Sequence, residues 1–450
     1  MVRKILWCFI LFGLFGLLAA LTESRAVAQR HFVLEGATLI NGIFDRPLRD
    51  HVVVVDGGRI TGVGRKNKVI IPQGAEVIDV RGKFIIPGLI DAHVHEESVA
   101  DWPRYLAWGI TSVNCIYENS DTAIEREAWS QSDTLPSPRI YATAPVFTMK
   151  KGWWEGDGFP PDSGVNRFPE TPDEARAAVR ALHAKGISRI SLMVDDMGWC
   201  RDPLPRLVKM DAAVMSALLA EAKKLRLIAG VHAPNLADAS AAVSAGATAL
   251  VHGVLDERLD APFIESLLAG DVFTMPTFSL YHFLAGADSF IAQTLTDSAF
   301  RTSLPAETIA KLTSPEYAAG YRDRYPNQGF VASHLKTLDE NTAAIVSNYA
   351  QLALGTDMWA LPGIGAHLDL EYMVKAGLTP MQALTAATFL PAKFLRILPK
   401  TGTIEPGKDA DLLVLDADPL ADIRNTRAVG MVIKKGKIFR PGSLLGTAER

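Results

Sequence analysis

The sequence predicts an α/β protein in which a (β/α)8 TIM barrel is inserted into a small β-sandwich module formed by both chain ends. Short strands and turns fill residues 29–87 and return in residues 399–442. Between them, residues 88–398 alternate apolar strands with helices, which is the pattern of a parallel sheet. Eight strands with intervening helices are the number that closes a barrel.

The β-sandwich module begins with a hairpin signal. The apolar run Val52–Val55 meets Arg59–Val63 through Asp56-Gly57-Gly58, a turn flanked by two strands. Similar short strands occur near the other end of the chain, at Asp411–Asp416, Val429–Ile433 and Lys435–Ile438. One module built from both ends explains the two sets of strands.

The central region contains eight candidate barrel strands. Helix boundaries between them are well marked: Thr171 precedes Pro172 and two acidic residues, a typical helix start, and Gly246 ends a helix that begins at Asn235. The predicted strands are Leu89–His93, Ile110–Tyr117, Arg139–Ala144, Ile187–Asp195, Leu227–His232, Ala249–His252, Val272–Met275 and Leu352–Thr356.

Two long segments are additional to the strands and helices of a minimal barrel. Residues 147–169 carry Trp153, Trp154 and Phe159 among glycines and prolines, and residues from about 281 to 328 form a mostly helical insertion. Both follow predicted strand C-termini, where loops build the active sites of barrels. We therefore expect lids or cavity walls, with simple surface elaboration as the alternative.

The N-terminus is typical of a secretory signal peptide over residues 1–28. Arg3 and Lys4 precede the apolar run Ile5–Leu21, and Ala26-Val27-Ala28 precedes Gln29 as a cleavage site. This predicts a periplasmic or secreted protein that is free of the membrane after cleavage. An uncleaved anchor is the alternative, because the run is close to the short limit for a membrane span.

Removal of that segment takes Cys8 with it and leaves Cys115 and Cys200 in the mature chain. Two cysteines do not make a disulfide framework, and we expect two free thiols.

The formal net charge is −4, charged residues make up 21%, and there is no basic tract. The composition is that of a globular protein and gives no electrostatic footprint for nucleic acid.

A pair of histidines ends the first barrel strand. His93 and His95 are two residues apart, so their side chains point to the same side of a strand. Two converging imidazoles can share a metal ion. The apolar residues before them place the pair where a core strand meets solvent.

Three further polar residues also close predicted strands: His232 the fifth, His252 the sixth and Asp357 the eighth. A barrel uses these C-terminal strand ends for catalysis. Four histidines and one aspartate at such positions predict a metal centre at one barrel mouth.

The motifs around these residues resemble those of the amidohydrolase superfamily, in its imidazolonepropionase-like and prolidase-like branch. The resemblance extends from about Phe32 to Ile438, nearly the whole mature chain. It is carried by Pro87–His95, His232-Ala233, Val251-His252-Gly253, Leu354–Asp357, Ala376–Pro380, Ala383–Thr388 and Gly402–Leu412.

This resemblance implies a metal-dependent hydrolase, with zinc the expected ion and other divalent metals as alternatives. It implies that His93, His95, His232 and Asp357 hold the main metal. His252 would complete a second metal site or act catalytically on the reacting group. Asp357 would also serve as general base and acid, and a metal-activated water would attack a carbonyl.

The expected reaction is cleavage of a C–N bond in a small amide, an N-acyl amino acid or a dipeptide. Hydrolysis of a lactone or ester, or deamination of a ring, is an alternative on the same site. A non-catalytic periplasmic binding protein is the alternative of another class. Its signature would be a missing ligand, and none of the five residues is missing.

One position departs from the family pattern. The fourth strand of this branch often supplies a lysine that is carboxylated and bridges two metals, but this chain has Ser191 there. Serine cannot form a carbamate, so we expect one metal ion rather than two. Asp195 and Cys115 are alternative ligands, although for Cys115 we favour a buried thiol.

Substrate contacts are predicted at three positions. Tyr281 and His282 follow the seventh strand, and Trp153 belongs to the long loop after the third. The predicted partner is a small molecule, and association into a homo-oligomer is compatible with the barrel. Further candidates for substrate contact are His367, Arg201 and Arg206. The residues interpreted as surface or packing residues are His31, His51 and His183. No role is assigned to His334.

Overall fold

The computed structural model describes residues 31–43, 46–96, 98–117, 119–132, 135–153 and 165–446. The predicted signal peptide, Trp154 and Phe159 lie outside these ranges. Within them, no helix combines the length and the apolar character that a membrane span requires.

Strands occur in three regions of the described chain: an N-terminal set, a central set and a C-terminal set. They are β1 (Phe32–Leu39), β2 (Leu48–Asp56), β3 (Arg59–Gly64), β4 (Glu76–Asp79), β5 (Phe84–Pro87), β6 (Leu89–His95), β7 (Ile110–Ile116), β8 (Arg139–Thr143), β9 (Val146–Phe147), β10 (Arg189–Met193), β11 (Ile228–His232), β12 (Ala249–Val251), β13 (Phe273–Met275), β14 (Gln351–Leu352), β15 (Leu412–Leu415), β16 (Val429–Lys434) and β17 (Lys437–Phe439).

Strands from both chain ends share one eight-stranded sheet, in the order β17-β16-β15-β5-β1-β2-β3 with β4 beside β1. The expected hairpin is present, because β2 and β3 pair antiparallel with Val55 opposite Ile60. Strand β2 buries valines on both faces: Val53 packs in one apolar cluster and Val52 in another. A single sheet accounts for these strands, and the two-sheet sandwich stays a prediction.

The central strands are parallel and form two sheets, β6-β7-β8 and β9-β10-β11-β12-β13-β14. Hydrogen bonds from Ala92 N to Leu354 O (2.8 Å) and from Asp357 N to His93 O (2.8 Å) connect β6 to the segment after β14. Ala144 N likewise donates to Arg189 O at 3.2 Å. The predicted α/β class is confirmed, and these bonds link the two parallel sheets, while the closed barrel stays a prediction.

The helices cover the strands and build the insertion. They are α1 (Trp102–Ala107), α2 (Ser120–Ser130), α3 (Pro172–Ala184), α4 (Gly198–Arg201), α5 (Ala212–Lys224), α6 (Leu236–Ala245), α7 (Ala261–Gly270), α8 (Phe278–Ala285), α9 (Ala287–Thr294), α10 (Ser298–Ser303), α11 (Ala306–Leu312), α12 (Pro315–Arg324), α13 (Gln328–Ser347), α14 (Ile364–Lys375), α15 (Pro380–Ala386), α16 (Phe389–Phe394) and α17 (Pro441–Leu445). Short 3-10 turns span Lys66–Lys68, Val99–Asp101 and Ile423–Arg427.

The predicted helix boundaries are confirmed where the sequence marked them. Thr171 caps α3 by accepting a hydrogen bond from Glu174 N, and Asn235 caps α6 in the same way through Asp238 N. Gly246 ends α6 with φ of 101°, a left-handed conformation that glycine adopts without a steric penalty.

Buried charged groups join the eight-stranded sheet to the parallel strands. Arg139 of β8 pairs with Asp411, next to β15, and with Asp409 at 3.2 Å. The fully buried Lys434 of β16 donates to the carbonyl of Ser137 at 2.7 Å, just before β8. A buried charge is tolerated only when it is paired and hydrogen-bonded, so these contacts fix the two parts against each other.

Candidate metal centre and active-site cavity

A cavity of about 530 Å³ opens beside the ends of the parallel strands. Its walls include every residue that was predicted to bind the main metal, together with the serine at the position of the family lysine. These lining residues are His93, His95, Ser191, His232, His252 and Asp357. These residues therefore line one cavity, while their roles stay a prediction.

Three of these residues form the tightest group. Potential ligand atoms of His93, His252 and Asp357 all lie within 4.8 Å of one another. His93 Nε2 is 3.7 Å from Asp357 Oδ1, and His252 Nε2 is 3.8 Å from Asp357 Oδ2. His95 adjoins the group, with its Nε2 at 3.3 Å from Asp357 Oδ1.

The donor atoms of this group fit a divalent metal ion. Asp357 Oδ1 and His93 Nδ1 are buried and have no hydrogen-bond partner among the described residues. Buried polar atoms are normally hydrogen-bonded, so an unsatisfied carboxylate oxygen beside several imidazoles suggests a ligand set. Burial lowers the pKa of His95 to about 4, which keeps its ring in the neutral form that binds metals.

Asp357 is ionised in this setting. Burial by itself raises the pKa of a carboxyl group, but the nearby rings of His95, His93 and His252 outweigh burial and lower the pKa of Asp357 below its usual value. The Asp357 carboxylate therefore carries a negative charge at neutral pH, as a carboxylate ligand or a proton acceptor must.

The backbone and its neighbours hold these side chains in place. His252 and Asp357 both have positive φ, 71° and 49°, and Thr277 has φ of 47°. Such conformations in residues other than glycine are strained and cluster at functional sites. Thr277 contributes directly, because its Oγ1 lies 2.9 Å from His252 Nδ1 and leaves Nε2 to face Asp357.

Asp91 is a buried residue of the site to which the motif gave no separate role. Its Oδ1 accepts hydrogen bonds from His93 N (3.2 Å) and Thr356 N (3.1 Å), and its Oδ2 accepts one from Thr356 Oγ1 (2.8 Å). Asp91 thereby fixes the strand that carries the histidine pair against the residue before Asp357. In the sequence, the indication of this structural role is the position of Asp91 in the motif, two residues before His93.

His232 lies beside the group rather than within it. Its ring centroid is 4.5 Å from that of His252, and its Nε2 is 3.0 Å from Asp195 Oδ1. The sequence placed His232 in the main ligand set and His252 as an addition, whereas the structure brings His252 into the tightest group. The difference arises because side-chain direction at a strand end depends on local backbone turns.

The two alternative ligands differ in position. Asp195 is buried beside His232 and does not line the cavity. Cys115 is fully buried within β7 and does not line the cavity, which agrees with the buried-thiol interpretation. Cys200 is also buried, and neither cysteine forms a disulfide, as expected.

Aromatic side chains form much of the remaining wall. The predicted contact residue Trp153 lines the cavity, and the insertion adds Tyr321 and Tyr325. Trp359, two residues after Asp357, donates from its Nε1 to the hydroxyl of Tyr321 at 3.0 Å. Tyr321, Tyr325 and Trp359 were not predicted from the sequence, although the proximity of Trp359 to Asp357 was a usable signal.

Glu96, which directly follows the histidine pair, also lines the cavity and was not predicted. Its carboxylate accepts hydrogen bonds from Trp102 Nε1 (3.1 Å) and Tyr117 Oη (2.9 Å) and pairs with Arg126 at 2.8 Å. Because three donors surround its carboxylate, Glu96 stabilises the cavity wall and is not placed to bind an incoming cation.

Two predicted substrate contacts lie outside the cavity lining. Tyr281 is fully buried, and its hydroxyl donates to the carbonyl of Gly253 at 2.8 Å. His282 stacks on Tyr372 with ring centroids 3.9 Å apart. Tyr281 packs behind two lining residues, Trp199 and His252, with ring centroids 5.7 and 6.3 Å away, and neither Tyr281 nor His282 lines the cavity itself.

His367, Arg201 and Arg206 are likewise absent from the lining. His367 is buried between Thr426 Oγ1 and the carbonyl of Trp108, each 2.9 Å from a ring nitrogen. It is a packing residue in this structure.

The chain is similar to known proteins along most of its length. A family model described as "Amidohydrolase family" matches residues 84–439. Ochratoxinase from Aspergillus niger is 27% identical over 315 residues, which is 68% of this chain and 56% of that protein. The chain thus aligns with little more than half the length of this curated relative.

Solved structures extend the likeness to nearly the whole chain. The chain is similar to a Xaa-Pro dipeptidase with bound methionine, with a TM-score of 0.71, 23% identity, and coverage of 91% of this chain and 100% of the other. It is also similar to a putative prolidase from Bifidobacterium longum, with a TM-score of 0.70, 25% identity, and coverage of 94% and 96%. The family match, which covers most of the chain, shows that this protein belongs to the amidohydrolase family.

Proposed function

We propose that this protein is an exported, metal-dependent hydrolase that cleaves the C–N bond of a small amide, an N-acyl amino acid or a dipeptide. The observation that carries the proposal is the convergence of His93, His252 and Asp357, with His95 adjoining, on one wall of an aromatic cavity. Membership of the amidohydrolase family and the likeness to a putative prolidase support the same bond class.

The four residues of this group are assigned as the holders of one divalent ion, for which we propose zinc. When bound, such an ion polarises a carbonyl and lowers the pKa of water. His252 is included because its Nδ1 is occupied by Thr277, which directs Nε2 toward Asp357. Ser191 offers no carboxylate to bridge a second ion.

Asp357 is the group that moves the proton. Its Oδ1 is ionised and without a hydrogen-bond partner among the described residues, so it can accept a proton from the attacking water. The same oxygen can then deliver that proton to the leaving nitrogen, as a positioned base and acid. The strained backbone at Asp357 and the hydrogen bonds of Asp91 to Thr356 keep this carboxylate aimed at the cavity.

The cavity supports a small, partly apolar substrate. Its volume of about 530 Å³ falls in the range of sites for small ligands. Trp153, Tyr325 and Trp359 provide apolar surface, and their rings suit an aromatic or aliphatic side group. A small molecule is accordingly the proposed partner, in the periplasm or outside the cell.

The decisive experiment combines metal analysis with a substrate panel. Purified protein should contain divalent metal and should hydrolyse dipeptides or N-acyl amino acids faster than lactones or aminated heterocycles. Asp357→Asn should lower kcat/KM by about 10²- to 10⁴-fold, the usual contribution of a general base. Asp339→Asn, on α13 away from the cavity, serves as the matched control.

Full activity and full metal content in Asp357→Asn would show that the assigned role is wrong. A preference for lactones or ring amines would redirect the reaction class while leaving the metal site intact. Absence of both metal and activity in the wild-type protein would favour a binding protein. Export is tested separately by N-terminal sequencing of the secreted or periplasmic fraction, with Gln29 expected as the first residue.

A further inference from the structure

Asp195 lies behind the cavity wall and contacts two side chains that line the cavity, those of His232 and Trp199. Its Oδ1 lies 3.0 Å from His232 Nε2, and its Oδ2 accepts hydrogen bonds from Trp199 Nε1 (2.9 Å) and Met197 N (3.2 Å). Asp195 itself is 2% exposed and does not line the cavity, whereas His232 and Trp199 both do.

Asp195 lies beside one ring nitrogen of His232, the Nε2. His232 Nε2 and Asp195 Oδ1 lie 3.0 Å apart and are both buried, and neither atom meets the geometry of a hydrogen bond with the other or with any described residue. Because Nε2 is the ring nitrogen beside Asp195, Nδ1 is the nitrogen that remains for the cavity that His232 lines. The neighbouring His252 has the opposite arrangement, with Nδ1 on Thr277 and Nε2 toward Asp357.

We infer that Asp195 is a positioning residue that sets the tautomer and the orientation of His232, so that the Nδ1 lone pair is available to the metal centre. A carboxylate that accepts the Nε2 proton of a histidine leaves Nδ1 unprotonated and makes it a better ligand. The inference rests on the proposed metal-dependent function, and it assigns His232 a place at the centre that its Nε2 does not provide.

The remaining contacts of Asp195 explain why its carboxylate is held rigidly. Two donors, Trp199 Nε1 and Met197 N, fix Oδ2. The peptide that follows is anchored in turn, because Asn327 donates from Nδ2 to the carbonyl of Trp199 at 3.1 Å and from its backbone N to that of Cys200 at 3.0 Å. The start of α13 thus braces the turn that carries Trp199.

Asparagine at position 195 cannot reproduce this arrangement. Its single side-chain oxygen can accept from His232 or from Trp199, and the amide nitrogen then meets the other donor. We expect Asp195→Asn to weaken metal binding by about 10- to 100-fold, the usual effect of losing an outer partner of a metal-binding histidine. Affinity is measured by competition with a chelator, using zinc alone as the probe.

Asp196→Asn is the matched control. The Asp196 side chain bonds Gly198 N and Arg206 outside the cavity, so this variant should keep wild-type metal affinity. Metal content at saturating zinc should be the same in both variants and the wild type, because Asp195 is not itself a ligand. Loss of one ion in Asp195→Asn at saturation would contradict the positioning role.

A double-mutant cycle separates an effect through His232 from general damage. In a His232→Asn background, Asp195→Asn should have no further effect on zinc affinity. An equal loss in both backgrounds, or wild-type affinity in the single variant, would overturn the inference. Failure of the wild type to bind zinc would instead refute the proposed function.

Folding is checked by the melting temperature of the metal-free proteins. If Asp195→Asn is too unstable to study, Asp195→Glu keeps the charge and moves the carboxylate by one methylene. It should show an intermediate loss of affinity, and wild-type affinity there would again count against the inference.

Discussion

Asp91 and Thr356 are joined by two hydrogen bonds across the seam between the first and the last parallel strands. The Thr356 hydroxyl donates to Asp91 Oδ2 at 2.8 Å, and Thr356 N donates to Oδ1 at 3.1 Å. Both side chains are buried. The pair sets the distance between the histidines of β6 and the carboxylate of Asp357, which follows Thr356 directly.

Thr356→Val should therefore destabilise the protein by about 1–3 kcal/mol. Valine has the shape of threonine but leaves Asp91 Oδ2 buried without its hydroxyl donor. Thr356→Ser keeps the hydroxyl and should retain most of the stability. Urea denaturation of the three proteins provides the comparison, and equal stability of the valine and serine variants would show that the bond is dispensable.

Metal removal should lower the stability in a way that depends on Asp357. A ligand that binds only the folded state adds about 2.7 kcal/mol when its free concentration is 100 times its Kd. Wild-type protein should gain this amount on zinc addition after chelator treatment, while Asp357→Asn should gain far less. His183→Gln, on α3 away from the cavity, should respond like the wild type. A similar gain in Asp357→Asn would place the ion elsewhere.

Breaking the contact between Trp359 and Tyr321 should weaken substrate binding. Tyr321→Phe removes the hydroxyl that accepts the Trp359 N–H, a bond worth about 0.5–1.5 kcal/mol. We expect KM for aromatic amide substrates to rise about 2- to 10-fold with little change in kcat. Tyr349→Phe, at a site that is 89% exposed, is the control. A fall in kcat at constant KM would argue that the contact serves the chemical step instead.

His367 should make the protein sensitive to acid. Burial lowers its pKa to about 4, so the folded state disfavours the protonated ring. The unfolded chain, with an ordinary histidine pKa near 6.5, binds more protons as the pH falls from about 6.5 to 4. Over this interval the free energy of unfolding should decrease by about 3 kcal/mol on account of His367.

The acid sensitivity is measured by urea unfolding at a series of pH values. His367→Gln should show a smaller loss of stability between pH 6.5 and 4 than the wild type. The surface variant His183→Gln should follow the wild-type profile. Parallel profiles for wild type and His367→Gln would mean that His367 does not carry this proton linkage.

Much of the architecture follows from patterns that a sequence displays directly. The alternation of strand and helix after Pro87 predicted the parallel strands, and the histidine pair and Asp357 were located because each closes an apolar run. Cap residues such as Thr171 fixed helix ends by local hydrogen bonds. These features depend on neighbours in sequence, so one chain is sufficient to find them.

Other features depend on side-chain direction and on contacts between distant segments. His252 belongs to the tightest group while His232 lies beside it, and Tyr281 and His282 do not line the cavity, and no motif encodes these placements. Asp91 acquires its role from Thr356, 265 positions away in sequence. Such pairings emerge only when the strands are placed side by side.

The eight-stranded sheet also constrains when this protein can fold during its synthesis. Strand β5 immediately precedes the strand of the histidine pair, and it pairs antiparallel with β15, so that Ile85 lies opposite Val414. More than three hundred further residues must emerge, from the ribosome or from the export channel, before that neighbour is available. Until then one side of β5 lacks its partner, and the buried Arg139 lacks its counter-ion Asp411. The part of the cavity wall that carries His93 and His95 should therefore reach its final geometry only late, after the C-terminal strands have emerged.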